Sequence, residues 1–216
     1  STACSPASRL LRRTTQSVGW AKRSVPNKTT RNLNQMLIEP RTQRLQLRQW
    51  REQDRAPFAA MNADPQVMEF FPALLSRAES DAGIDRQIAH IEQYGWGFWA
   101  VEALAENRFI GFVGIKHVTA DMPFAPAVEI GWRLGAAFWG KGYASEAAQA
   151  SLQVGFGQLG LEEIVSFTVP GNLRSRAVME RLGMVRDKNN FPHPGLPSGH
   201  PMQEHVLYRL KNPHNP

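Results

Sequence analysis

From Gly135 to Glu146 the chain reads Gly-Ala-Ala-Phe-Trp-Gly-Lys-Gly-Tyr-Ala-Ser-Glu. Two glycines flank Lys141, directly after an apolar strand-like run and directly before an amphipathic stretch. Glycine lets the backbone turn its N–H groups outward with no Cβ in the way. A helix N-terminus adds unpaired donors and a positive dipole end, so the assembly suits an anion such as a phosphate. Residues 135–141 spell G-x-x-x-x-G-K, one residue short of a P-loop, but Gly142 stands where a Ser or Thr would hold Mg²⁺. The strand that should end in a metal-binding Asp, Ile164–Val169, ends at Pro170. A nucleotide hydrolase is therefore a poor reading. The dinucleotide fingerprint fails as well, because Ser145 occupies the place of its third glycine. Two readings stay open on these residues alone: an anion cradle, or a tight strand-to-helix turn with no ligand.

The elements that must position this loop follow from periodicity. Alternation over Leu45-Gln46-Leu47-Arg48 predicts a half-buried strand. Asp54 is the expected N-cap of a helix through Ala63, which Asp64-Pro65 breaks; an apolar turn, Val67–Phe71, follows. Ser76 to Tyr94 reads as a longer helix, with Ile84, Ile88 and Ile91 at helical spacing and Gly95 as its stop. Strands are expected over Phe98–Ala103 and Phe109–His117, joined by a turn at Glu106-Asn107, and over Val128–Leu134. The helix after the glycine turn runs from Tyr143 to about Gly160, with Ala144, Ala147, Ala148, Leu152 and Phe156 toward the sheet. Strand Ile164–Val169, helix Asn172–Leu182, a Pro/Gly/His-rich segment over 188–202 and strand His205–Leu210 complete the order. This pattern predicts a single α/β domain around one mixed sheet.

The 216 residues suit one domain. Of the 25 Lys and Arg, seven lie in residues 1–38, which hold no Asp or Glu. The remainder, 18 basic against 19 acidic residues, is nearly neutral, so the basic balance does not argue for nucleic acid. Residues 1–36 are expected to be a basic leader: a transit-like peptide, a disordered arm or upstream sequence foreign to the protein, with Met36 resembling a natural start. Residues 37–212 are the expected domain and 213–216 a tail. No run of about 18 apolar residues is present, so no membrane partner is expected. The one cysteine, Cys4, lies in the leader, which leaves the domain without a thiol nucleophile, disulfide or Cys-ligated metal.

Three blocks in this order resemble the GNAT superfamily of acyl-CoA-dependent N-acetyltransferases, and its RimJ/RimL-like branch in particular: Glu129–Leu134, Trp139–Ala147 and Asn172–Met184. The resemblance covers about Gln43 to Leu210. It implies a single GNAT-like domain, a central, mostly antiparallel, twisted mixed sheet flanked by helices. The cosubstrate it implies is acetyl-CoA, with no metal. In that family the glycine turn is written Q/R-x-x-G-x-G/A and its amides hold the coenzyme pyrophosphate. Here Trp139 takes the Q/R place, Gly142 the central glycine and Ala144 the last small residue. The implied coenzyme contacts are Gly131, Trp132, Leu134, Trp139, Gly140, Lys141, Gly142, Tyr143, Ala144, Ser145, Asn172, Ser175 and Arg176. Lys141 either adds charge to the phosphates or faces solvent; Arg174 and Arg176 either reach the adenosine phosphate or face water.

Acetyl transfer from a thioester to an amine needs an uncharged amine, a polarised carbonyl and a protonated leaving sulfur. Period two sets Val128, Ile130, Trp132 and Leu134 on one face of their strand and Glu129, Gly131 and Arg133 on the other. Since the family runs this strand beside the acetyl group, Glu129 is one candidate base, with an ion-paired surface carboxylate as its ordinary alternative. The resemblance offers Asp187, three residues after Gly183-Met184, as a second. It also places oxyanion-stabilising N–H groups near Gly131 and Trp132. Many relatives carry a tyrosine acid seven residues after the helix Asn, where this chain has Met179; the RimL-like branch instead implies Ser175.

Expected acceptor contacts are Phe70, Trp96, Trp99 and His193, drawn from the aromatic group around Phe70–Trp99 and the His-rich segment. The histidines there show no zinc spacing. The acceptor is expected to be a primary amine of a small molecule or a protein N-terminus, in a cytoplasmic protein unless the leader is a transit peptide; a homodimer is compatible. The competing reading is a non-catalytic acyl-CoA sensor on the same fold, prompted by Met179.

Overall fold

The computed structural model describes residues 37–213; the expected leader, Cys4 and all but the first residue of the expected tail lie outside them. Strand β1 (Leu45–Arg48) buries Leu45 and Leu47 completely. A 3-10 turn over Glu52–Asp54 leads into α1 (Arg55–Asn62). Asp54 stands before that helix as expected, but its side chain makes no cap bond there. Its buried carboxylate instead takes two hydrogen bonds from Arg48, at 2.7 and 2.9 Å, and one from the Arg51 N–H. A fully buried arginine needs that partner more than the helix needs a cap.

Helix α2 (Arg77–Tyr94) begins in a reciprocal box: the Glu79 N–H donates to Ser76 Oγ, and the Ser76 N–H donates to Glu79. It stops where Gly95 takes φ 81°. Ile84 and Ile91 sink into the core from one face. Strands β2 (Phe98–Ala103), β3 (Arg108–His117) and β4 (Val128–Leu134) extend β1 as an antiparallel ladder.

Helix α3 (Tyr143–Gln153) follows the glycine turn, and its last part, Val154–Gln158, widens to a π-turn rather than continuing as α-helix to Gly160. The residue at the turn is Gly155, where a Cβ would stand 2.6 Å from the Ile164 side chain of the next strand. Close approach to the sheet explains the widening better than helix propensity.

Strand β5 (Glu163–Thr168), helix α4 (Leu173–Arg181), the two-residue strands β6 (Val185–Arg186) and β7 (Phe191–Pro192), and β8 (Glu204–Lys211) complete the domain. Helix α4 ends in a Schellman arrangement, with the Met184 N–H on the Met179 carbonyl and the Gly183 N–H on the Glu180 carbonyl. The His-rich segment supplies β7, which pairs with β8.

The strand order is β1-β2-β3-β4-β5-β8-β6, and every pairing is antiparallel except β4 with β5. That parallel pairing registers at one position, Glu129 opposite Val165. The Ser166 hydroxyl donates to the Ile130 carbonyl at 3.0 Å, immediately beyond it. Past this staple both strands, Ile130–Leu134 and Ser166–Thr168, line a crevice. The sheet is forked, and α3 and α4 begin on opposite sides of the fork. Among the described residues no helix is long and apolar enough to cross a membrane.

Candidate active site

The crevice has a volume of about 730 Å³ and runs from the Glu129 end of β4 to the glycine turn. Alternation decides which β4 groups it receives. A residue's N–H and C=O point to the same edge of a strand, and its neighbours' point to the other. The Ile130 carbonyl meets Ser166 of β5, so Ile130, Trp132 and Leu134 direct their backbone groups toward the fork. The Leu134 carbonyl is taken there by the Trp139 indole N–H at 2.8 Å. The Trp132 N–H and C=O are thus presented to the crevice.

At the far end, Gly140 has φ 73° and Gly142 φ 79°, conformations in which any other residue is strained. Nothing stands within 4 Å of a Cβ built on Gly140. Gly142 is the N-cap of α3 and no side chain caps that helix, leaving the first-turn amides without intrahelical partners. The acid in that turn, Glu146, would repel an anion, but it is occupied. Its carboxylate takes the Thr42 hydroxyl at 2.6 Å and the Arg44 Nε–H at 2.6 Å. Arg44 also donates to the Lys141 carbonyl at 3.0 Å and lies over the Tyr143 ring, fastening the loop to the start of β1. Gly140, Gly142, Tyr143, Ala144 and Ser145 line the crevice, and so does Trp139, whose polar edge braces the loop. These residues fit a pyrophosphate.

Asn172 caps α4: its Oδ1 accepts the Ser175 N–H at 3.2 Å, and its Nδ2 donates to Thr168 of β5 at 3.0 Å. Ser175 lines the crevice with it. Arg174, one residue earlier, pairs with Glu69 at 2.5 Å and lies over the Trp139 ring at 4.6 Å. This joins α4 to the turn after α1 across the crevice mouth.

Glu129 stands where β4 and β5 still pair. It keeps a solvent path through the crevice but is otherwise enclosed, and this burial pushes its carboxyl up to about 7, with Lys116 opposing. Lys116 lies directly across the β3–β4 ladder, and burial lowers its own pKa. A carboxyl near 7 takes or gives a proton readily at neutral pH.

Other expected contacts lie outside the crevice lining. Asp187 is held by the Arg209 Nε–H at 3.0 Å on the β6–β8 side, so of the two candidate bases only Glu129 reaches the crevice. Arg176 turns away, donating to the Tyr208 hydroxyl and the Pro170 carbonyl. The Lys141 ammonium sits 5.4 Å over the Phe138 ring. Trp99 is completely buried in the core, and Trp96 packs against His90 and His117. His193 lies tilted against His205 at 4.9 Å and against the crevice residue Phe167 at 6.0 Å between ring centroids, without itself lining the crevice. Phe70, Gly131, Trp132 and Leu134 do line it.

Phe112, Arg44 and Arg133 belong to no motif that gives them a role by sequence, and Phe71 stands out there only as one of an aromatic group. Arg133 did signal itself, sharing a strand face with Glu129; Arg44 carried no signal, because its partner Glu146 lies 102 residues away. Among the described residues no group of three His, Cys, Asp or Glu could hold a metal ion.

A family model for the acetyltransferase (GNAT) domain matches residues 44–185. The uncharacterized protein YkkB of Bacillus subtilis (strain 168) is 31% identical over 148 residues, 68% of this chain and 85% of that protein. FsC-acetyl coenzyme A-N(2)-transacetylase of Aspergillus fumigatus is 34% identical over 114 residues, 49% of this chain and 48% of that protein. Among solved structures, a GNAT-family acetyltransferase from Bacillus anthracis superposes with a TM-score of 0.68 at 25% identity, covering 81% of this chain and 99% of its own.

Proposed function

The chain belongs to the GNAT acetyltransferase family, whose members transfer acetyl from acetyl-CoA, and from that premise we propose that it acetylates a primary amine by direct attack while both substrates occupy the crevice. The fork carries this reading: β4 and β5 pair once and then part, with an uncapped helix N-terminus at the mouth. No cysteine occurs after Cys4, so a thiol acyl-enzyme has no nucleophile in the domain.

The roles follow from position. The amides at the start of α3 hold the pyrophosphate, with Gly140 and Gly142 keeping Cβ atoms out of its way. The Trp132 N–H meets the thioester oxygen as it gains negative charge. Glu129 accepts the amine proton, directly or through water. The amine nitrogen forms its bond to the acetyl carbon, the C–S bond breaks, and the Ser175 hydroxyl gives a proton to the departing sulfur and regains one from water, while Glu129 releases the amine proton to solvent through the crevice. The acceptor is a small molecule or a protein N-terminus.

Titration with acetyl-CoA, followed by thiol release across an amine panel, tests this. Micromolar binding with turnover on at least one amine is the expected result. Binding without turnover on any amine would favour an acyl-CoA sensor. Within the active enzyme, Ser175→Ala is expected to lower kcat about tenfold or more with acetyl-CoA affinity intact; an unchanged kcat removes it as the acid.

A further inference from the structure

Arg133 is half-buried, lines the crevice and has no carboxylate partner among the described residues. Several other arginines at or near the sheet are ion-paired. Arg48 has Asp54 and Glu102, Arg209 has Asp187 and Glu163, Arg44 has Glu146, and Arg174 has Glu69. Arg133 has one hydrogen bond, from Nη1 to Asn62 Oδ1 at 2.7 Å, and its Nε–H is buried with no acceptor. The guanidinium lies 3.9 Å over the Phe71 ring and 5.6 Å from Phe112, which hold it without neutralising it. Burial without a counter-charge lowers its pKa to about 10. A buried cation with open donors is costly unless something completes it.

The place of Arg133 on β4 says what could complete it. It shares a strand face with Gly131 and Glu129, roughly 6–7 Å apart per step of two residues. An amine presented opposite Gly131 therefore has a proton acceptor on one side and a guanidinium on the other. We propose that Arg133 is the anchor for a carboxylate on the acceptor, so that the substrate is an amine bearing a carboxyl group, of the amino-acid type. The two oxygens of a carboxylate match the unused fork of donors, and Phe71 and Phe112 offer apolar walls to the rest of the molecule. This inference rests on the acetyltransferase reading above.

The test compares matched acceptors at saturating acetyl-CoA. One arm sets free amino acids against their carboxamides and decarboxylated amines; the other sets peptides beginning with Asp or Glu against those beginning with Asn or Gln. Thiol release is expected to favour the carboxylate member about 10- to 100-fold in kcat/KM, in one arm or the other, which also identifies the source of the carboxylate. Arg133→Met keeps the packing on Phe71 and should bring the ratio close to one with acetyl-CoA affinity unchanged; Arg133→Lys should restore part of it. A wild-type ratio near one in both arms, or no turnover of any carboxylate amine, overturns the assignment. So does an Arg133→Met variant that weakens acetyl-CoA binding and keeps the ratio. Should the variants not fold, the wild-type ratios decide alone. Titration of acetyl-CoA without an amine separates the two readings, because loss of that binding would sink the acetyltransferase reading itself.

Discussion

Toward β3, strand β4 pairs over all of Val128 to Leu134; toward β5, the register covers Glu129 alone. Both seams use the same seven residues, so the difference does not lie in the propensity of β4. It lies in what the neighbours bring. The β3 side is so tight that a Cβ on Gly111 of β3 would stand 2.2 Å from the Arg133 carbonyl oxygen of β4. The β5 side is held by the Ser166 hydroxyl and then opens, because β5 is tied instead to the start of α4 through Thr168 and Asn172. The closed seam supplies stability; the open one leaves backbone donors unspent for a substrate.

If that division holds, changes on the two seams should dissociate, and the largest effect is expected at the open one. Glu129→Gln should lower kcat/KM by about 10²–10⁴, the usual range for a positioned general base. The wild-type rate should climb as pH rises toward and through about 7, since only the ionised carboxylate accepts a proton, and the variant should lose that limb. Stability runs the other way. Folding raises this carboxyl's pKa, so its stabilising contribution is complete below the ordinary glutamate range and is lost as pH rises through about 7. At pH 8 the Gln variant should therefore melt no lower than wild type while being nearly inactive. A pH–rate profile with parallel melting curves checks both, and a retained limb near 7 would return the base role to another group.

Next in size is Gly142→Asp, which brings a charge against the site proposed for the pyrophosphate and a side chain into φ 79°. Acetyl-CoA affinity should fall more than about 100-fold by calorimetry. The closed seam gives the converse. Gly111→Ala forces β3 backbone away from β4 backbone and should cost about 3 kcal/mol or more in urea unfolding, with the surviving folded fraction binding acetyl-CoA normally. Equal loss of stability and binding in both variants would mean that the two seams are not separate.

The same contrast separates what is legible in the amino-acid order from what only folding decides. The helix start at Ser76, the Gly95 stop, the helix opening at Asn172 and the glycine turn are local: partners lie within a few residues, and type and spacing suffice. The crevice lining depends on which way side chains point after distant segments meet. Aromatic density marked Phe70 and Trp99 alike, yet Phe70 lines the crevice and Trp99 closes the core, a choice made by β2–β3 packing. Asp187 matched by position and was taken by Arg209 of β8. Asp54 matched a cap and was taken by Arg48. For both acids an arginine on another element outcompeted the local role.

The smallest change addresses the point at which the seams diverge. Ser166 is buried and its hydroxyl holds the Ile130 carbonyl, the last bond before the fork. Ser166→Ala removes one donor and leaves a buried carbonyl without it, a loss of about 1 kcal/mol, visible as a small drop in Tm. A hydroxyl that only adds stability would leave kinetics untouched at a temperature where both proteins are fully folded. A hydroxyl that sets where β4 and β5 part also governs how far Trp132 stands from β5, so the KM for acetyl-CoA should rise several-fold in the alanine variant, with Ser166→Thr recovering most of it. The Tm change alone, with KM unmoved, would mean that the fork is held open by α4 and the glycine turn and that the staple merely marks its origin.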